Sequence, residues 1–136
     1  MNSKLTFVQS IKAGAMASGV AAVINAILFF VFHAGGILVD TIYIQPGQAL
    51  TVVPILLSSI MPTLIASIVF FLLEKYTKNG LNIFRIISLV LMVLSFANPF
   101  MIPDVTLGYA IVLNVMHVVV VACLLFFIGK AVKENK

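Results

Sequence analysis

Residues 13–32 read AGAMASGVAAVINAILFFVF, an apolar run of 20 residues broken only by Gly14, Ser18, Gly19 and Asn25. As a helix rising about 1.5 Å per residue, such a run matches the roughly 30 Å hydrocarbon core of a bilayer. It exceeds the roughly 7–15 apolar residues of a secretory signal. It also ends in Phe29-Phe30-Val31-Phe32-His33 rather than at a cleavage site of small residues. A retained membrane span is therefore expected. Ahead of it, Leu5, Val8 and Ile11 keep helical spacing, which predicts a helix start near Ser3 as N-cap.

Three further runs follow. Leu50 to Leu73 holds Pro54 and Pro62 and closes with Glu74-Lys75-Tyr76-Thr77-Lys78-Asn79-Gly80, where Gly80 suits a left-handed C-terminal cap. Ile83 to Ile102 carries Arg85 one turn in and Asn98-Pro99 near its far end. The residue before a proline avoids the α region, so this helix is expected to kink or stop at Asn98. Leu107 to Ile128 is entered through Pro103-Asp104-Val105-Thr106, with Asp104 or Thr106 as its cap. The expected architecture is all-α: a single-domain four-helix transmembrane bundle with spans near 10–32, 50–73, 82–102 and 107–129 and a loop over 33–49.

Composition agrees. Of 136 residues, 62% are hydrophobic and 9% charged, against roughly 45–50% and 25% in soluble domains. So few charges cannot coat a globule of this size, which excludes a water-soluble monomer. The formal charge of +4 does not indicate nucleic acid, because the basic residues sit at the ends of apolar runs and form no continuous stripe. A single cysteine, Cys123, excludes an internal disulfide and a CxxC pair.

The charges also orient the chain. The N-terminus, the 74–85 connection and the C-terminal tail carry all eight Lys and Arg with Glu74 and Glu134, a net +6, whereas the opposite side carries only Asp40 and Asp104, a net −2. Basic flanks stay in the cytoplasm, so both termini are expected inside. The 33–49 loop then faces outward. Ile42 and Ile44 alternate with Thr41, Tyr43 and Gln45, and an extended segment this apolar is expected to lie over the helix ends. It either docks there as a plain loop or covers the mouth of the bundle.

Helices in lipid lack a hydrophobic drive to associate, so small residues and polar groups mark their contacts. Gly14, Ser18, Ala21 and Asn25 fall within a sector of about 60° on the first helix. The second places Thr51, Pro54, Ser58 and Pro62 on one side, with a bend expected at Pro62. The fourth places Asn114 and His117 together, with Cys123 opposite. Counted from the outer helix ends, Asn25 and Asn114 lie roughly 10 Å deep and His117 about 15 Å. Ser58, Ser59 and Asn98 share that outer half. The candidate binding cluster is Asn25, Ser58, Asn98, Asn114 and His117, reached from outside.

His117 is the ionisable side chain farthest from both interfaces. It is either a neutral imidazole bonded to Asn25 or a serine, or a proton-relay or ligand group. Metal or haem ligation fits poorly, because His33 lies near the outer surface, and no cofactor is expected. Arg85 and Lys12 are expected to snorkel to the cytoplasmic interface, where they can meet anionic lipid. Neither a catalytic set nor a phosphate loop is visible, and no span holds a carboxylate. The expected function is a non-enzymatic membrane subunit, scaffold or accessory factor. Its partners are the bilayer, a second copy or another membrane protein. The alternative is a small transporter or channel built around His117.

Several short stretches carry a resemblance: Ala21-Ala22-Val23-Ile24-Asn25-Ala26, Arg85-Ile86-Ile87, Leu94-Ser95 followed by Pro99, and Met116-His117-Val118-Val119. Over nearly its whole length the chain resembles an uncharacterised family of small bacterial four-helix integral membrane proteins, catalogued as a domain of unknown function. The resemblance implies four spans and a shared role for Asn25 and His117, without an activity.

Overall fold

In the computed structural model, residues 4–135 are described. Four long helices dominate: α1 (Phe7–Ala34), α2 (Val52–Tyr76), α3 (Gly80–Ser95) and α4 (Leu107–Glu134). A short hairpin of β1 (Tyr43–Gln45) and β2 (Gln48–Ala49) joins α1 to α2, and a 3-10 turn over Asn98–Met101 precedes α4. Four segments are long and apolar enough to cross a membrane, the third being α3 together with its 3-10 turn. At about 1.5 Å per residue the 28-residue helices α1 and α4 reach about 42 Å, so their ends project beyond the hydrocarbon into the interfaces.

Local chemistry explains the boundaries. The N-cap expected at Ser3 lies outside the described residues; α1 is capped by Thr6. Thr6 Oγ1 accepts from the Gln9 amide at 3.2 Å, and Gln9 Oε1 accepts from the Thr6 amide at 2.8 Å, which satisfies two donors reciprocally. At α4 the cap is Thr106, whose Oγ1 accepts from the Tyr109 amide at 3.3 Å. The alternative cap, Asp104, instead occupies a left-handed turn at φ 59°. Two expectations need correction. Gly80 does not cap α2, which ends at Tyr76 with Thr77 as its cap. It begins α3, where a Cβ would lie 2.6 Å from Glu74 Cα, so glycine is needed there for room. The third helix stops at Ser95, ahead of Asn98, and the chain is already turning at Phe96-Ala97 before Pro99.

Consecutive helices are neighbours. α1 packs on α2 and α4, while α3 rests against the same two. One end gathers the first and last described residues and the α2–α3 connection. Lys4 Nζ donates to the Thr77 carbonyl at 3.0 Å, and Gln9 Nε2 donates to Asn135 Oδ1 at 3.1 Å. Beneath them lies an apolar cluster of Leu5, Ala13, Phe70, Phe84, Leu124 and Ile128, with the Phe70 and Phe84 rings edge to face. The described basic residues thus collect at this end, and Asp40 and Asp104 lie at the other. There the hairpin is docked: Leu38, Ile42 and Leu50 are buried against Phe29, Ile55, Tyr109, Val112 and Met116. His33 Nε2 and Asp40 Oδ1, 3.0 Å apart, join the end of α1 to the loop.

Candidate functional site

Between the two apolar clusters, the interior is lined by small and polar residues. α1 buries Ser10, Gly14, Ala17, Ser18, Ala21 and Asn25. α2 answers with Ser59, Thr63 and Ser67, spaced four apart and so stacked on one face. The approach is close. A Cβ built on Gly14 would lie 2.5 Å from Ser67 Cβ and 2.6 Å from its Oγ. In lipid this contact holds the helices by dispersion, which grows as backbones near each other. The hydroxyls are satisfied within their own helix: Ser59 Oγ donates to Ile55 O at 2.8 Å, Thr63 Oγ1 to Ser59 O at 2.6 Å and Ser67 Oγ to Leu64 O at 2.7 Å.

Asn25 is the polar link between three helices. It is 2% exposed, and its Nδ2 donates to Ser59 Oγ on α2 at 3.0 Å and to the Met116 carbonyl on α4 at 3.3 Å. A buried amide needs such partners, because an unpaired donor in hydrocarbon is expensive. Its Oδ1 has no hydrogen-bond partner among the described residues.

Asn114 serves a different contact. Its Nδ2 donates to the carbonyl of Phe96 at 3.1 Å, tying α4 to the residue that ends α3. That carbonyl belongs to the group a helix leaves unbonded at its C-terminus. His117 follows Asn114 by three residues and shares a helix face with Leu124 and Ile128. It is half-buried, and Nδ1 finds no hydrogen-bond partner among the described residues, nor does Oδ1 of Asn114.

The five candidates therefore divide. Asn25 lies in the interior, and Asn114 and His117 lie half-buried on α4. Ser58 and Asn98 are exposed. Ser58 Oγ turns back to Ile55 O at 3.1 Å, and Asn98 opens the 3-10 turn. On α2, Thr51, Ser58 and Pro62 are exposed and Pro54 is half-buried, so the side expected to face the bundle faces away from it. The buried line of Ile55, Ser59, Thr63 and Ser67 is rotated from it by roughly 110°. Its signal was a hydroxyl at every fourth residue.

The chain belongs to a family of unknown function, DUF6069, which matches residues 6–134. Comparison with curated proteins and with solved structures gives no match.

Proposed function

We propose that this DUF6069 member is a non-enzymatic integral membrane protein, a small subunit, scaffold or accessory factor that acts through contact with another membrane protein or a second copy. It resides in the bacterial plasma membrane with both termini cytoplasmic, since the basic end is the one that remains inside. The observation that carries this reading is where the interior polar groups are spent. Asn25 donates to Ser59 and to the Met116 carbonyl, joining α1, α2 and α4, while the Ser59, Thr63 and Ser67 hydroxyls are each spent on a carbonyl of their own helix.

α3 adds support. Only 17% of the most apolar stretch of the third span, which α3 forms with its 3-10 turn, is buried, against 33% for α1, and Ile86, Leu89, Val90, Val93 and Leu94 remain exposed. A helix held so lightly by its own chain has room for another. Gentle extraction followed by native mass spectrometry tests the reading: a stoichiometric partner chain or a second copy is expected. A bare monomer under every mild condition, cross-linked in native membranes to nothing, refutes it.

A second reading rests on the unpaired Nδ1 of His117 and Oδ1 of Asn114, three residues apart within the α4 span. Two open polar atoms there suit a small transporter or channel with a protonatable member. That reading expects pH-dependent flux in proteoliposomes, abolished by His117→Leu. Flux unchanged by the substitution removes His117 from the mechanism.

A further inference from the structure

At the basic end, α1 and α4 enclose a groove of about 320 Å3. Its lining is layered along the membrane normal. The helices run antiparallel, and the hydrogen bond from Gln9 to Asn135 sets their register. From that mark, at about 1.5 Å per residue, Lys12 on α1 and Lys130 on α4 lie roughly 5 and 8 Å inward. Met16 and Phe127 lie deeper, roughly 11 and 12 Å inward by the same rise. Ala13 and Ala131 complete the apolar wall. Both lysines are exposed, and neither appears in a bond across the groove among the described residues. Glu134 at the rim approaches Lys130 at 3.9 Å and offsets one of the two positive charges, so the groove carries a net +1.

We propose that this groove binds one anionic phospholipid. Its phosphodiester sits between Lys12 and Lys130, and an acyl chain runs inward over Met16 and Phe127. Three features of the groove favour that occupant. The net charge complements a monoanionic phosphodiester. Cations stand at interfacial depth, where basic residues meet anionic headgroups. The apolar pair one turn deeper on each helix gives the chain a place that a free anion does not need. The inference rests on the membrane placement of the four spans and is independent of the proposed function.

The test uses the full-length protein in neutral detergent, titrated by native mass spectrometry. The probes are phosphatidylglycerol, phosphatidylcholine with the same chains, and glycerol 3-phosphate. One retained phosphatidylglycerol is expected, bound roughly tenfold tighter than phosphatidylcholine, the scale two screened interfacial lysines supply. The K12Q/K130Q variant loses that preference. K75Q/K78Q removes equal charge from the same end outside the groove and keeps it. E134Q binds more tightly. Equal affinity for both lipids, or equal loss in the two double variants, overturns the site in favour of a diffuse basic surface. Competition by glycerol 3-phosphate at the lipid's own concentration overturns the lipid assignment in favour of a free anion. Should K12Q/K130Q not fold, K130Q and E134Q must shift affinity in opposite directions; no shift in either overturns the proposal.

Discussion

Replacing Gly14 by alanine puts one methyl group into the tightest contact of the α1–α2 seam. The new Cβ would stand 2.5 Å from Ser67 Cβ, 2.6 Å from Ser67 Oγ and 3.4 Å from the Thr63 carbonyl. Carbon atoms at rest sit about 3.5–4.0 Å apart, so the helices must separate by about 1 Å or more at this level. The neighbour cannot rotate away, because Ser67 Cβ is fixed to its backbone. A gap of 0.5–1 Å forfeits about a quarter to a half of each dispersion contact along the seam, and dispersion is the chief attraction between helices in lipid. A loss of about 1–3 kcal/mol is expected, the range for overpacking. The assay is reversible unfolding in mixed micelles or bicelles, followed by circular dichroism. The partner substitutions separate mechanisms. Ser67→Ala keeps the offending Cβ and should not rescue Gly14→Ala. Ser67→Gly removes it and should restore most of the loss, short of up to about 1 kcal/mol for a second helical glycine. A Gly14→Ala protein as stable as the parent refutes the close approach. Equal rescue by alanine and glycine at 67 would place the clash at the hydroxyl alone.

Two other outcomes follow from the same framework. Asn25→Leu removes the donor to Ser59 and Met116 while keeping the number of side-chain heavy atoms; since interhelical hydrogen bonds in membranes are worth about 0.6 kcal/mol on average and at most about 1.7, a loss of about 1–2 kcal/mol is expected in the same unfolding assay, and an unchanged midpoint counts against the three-helix link. In a Cys123→Ala background, Gln45→Cys on the exposed hairpin should react with an impermeant maleimide in intact cells, while Lys133→Cys should react only after permeabilisation; the reverse pattern inverts the orientation.

How far the sequence discloses this fold depends on the kind of force involved. Transfer of apolar side chains into lipid is large and additive, so four spans and their approximate limits are legible in hydropathy alone. Charge asymmetry is equally legible, and the structure gathers the basic segments at one end through Lys4 and Gln9. The docking of the 33–49 loop was legible in Ile42, which is buried, whereas its hairpin was not, and Gly47 takes the left-handed φ of +74° that the turn requires. Which way each helix faces is a weaker signal, because outside and inside are both apolar. On α1 the small-residue rule works: Gly14, Ser18, Ala21 and Asn25 are all buried.

On α2 the same rule leads astray, and the reason is specific. Thr51, Pro54, Ser58 and Pro62 look like an interface because prolines and hydroxyls stand out in an apolar run. Proline is not small, however, and its ring keeps a neighbouring helix at a distance. Hydroxyls carry no facing information either, since Ser58 Oγ bonds back to Ile55 O whether it faces lipid or protein. What selects Ser59, Thr63 and Ser67 is the partner. They match the Gly14-to-Asn25 stripe in length and smoothness, so two narrow faces can close to backbone contact, whereas pairing through Pro54 and Pro62 would hold the helices apart. The seam is thus a property of two sequences read together. Asn25 fits the same logic: its donor reaches Ser59 and Met116 because the glycine and alanine turns below it have already brought α2 and α4 close. In this fold, size determines which faces meet, and the buried amide then fixes their register.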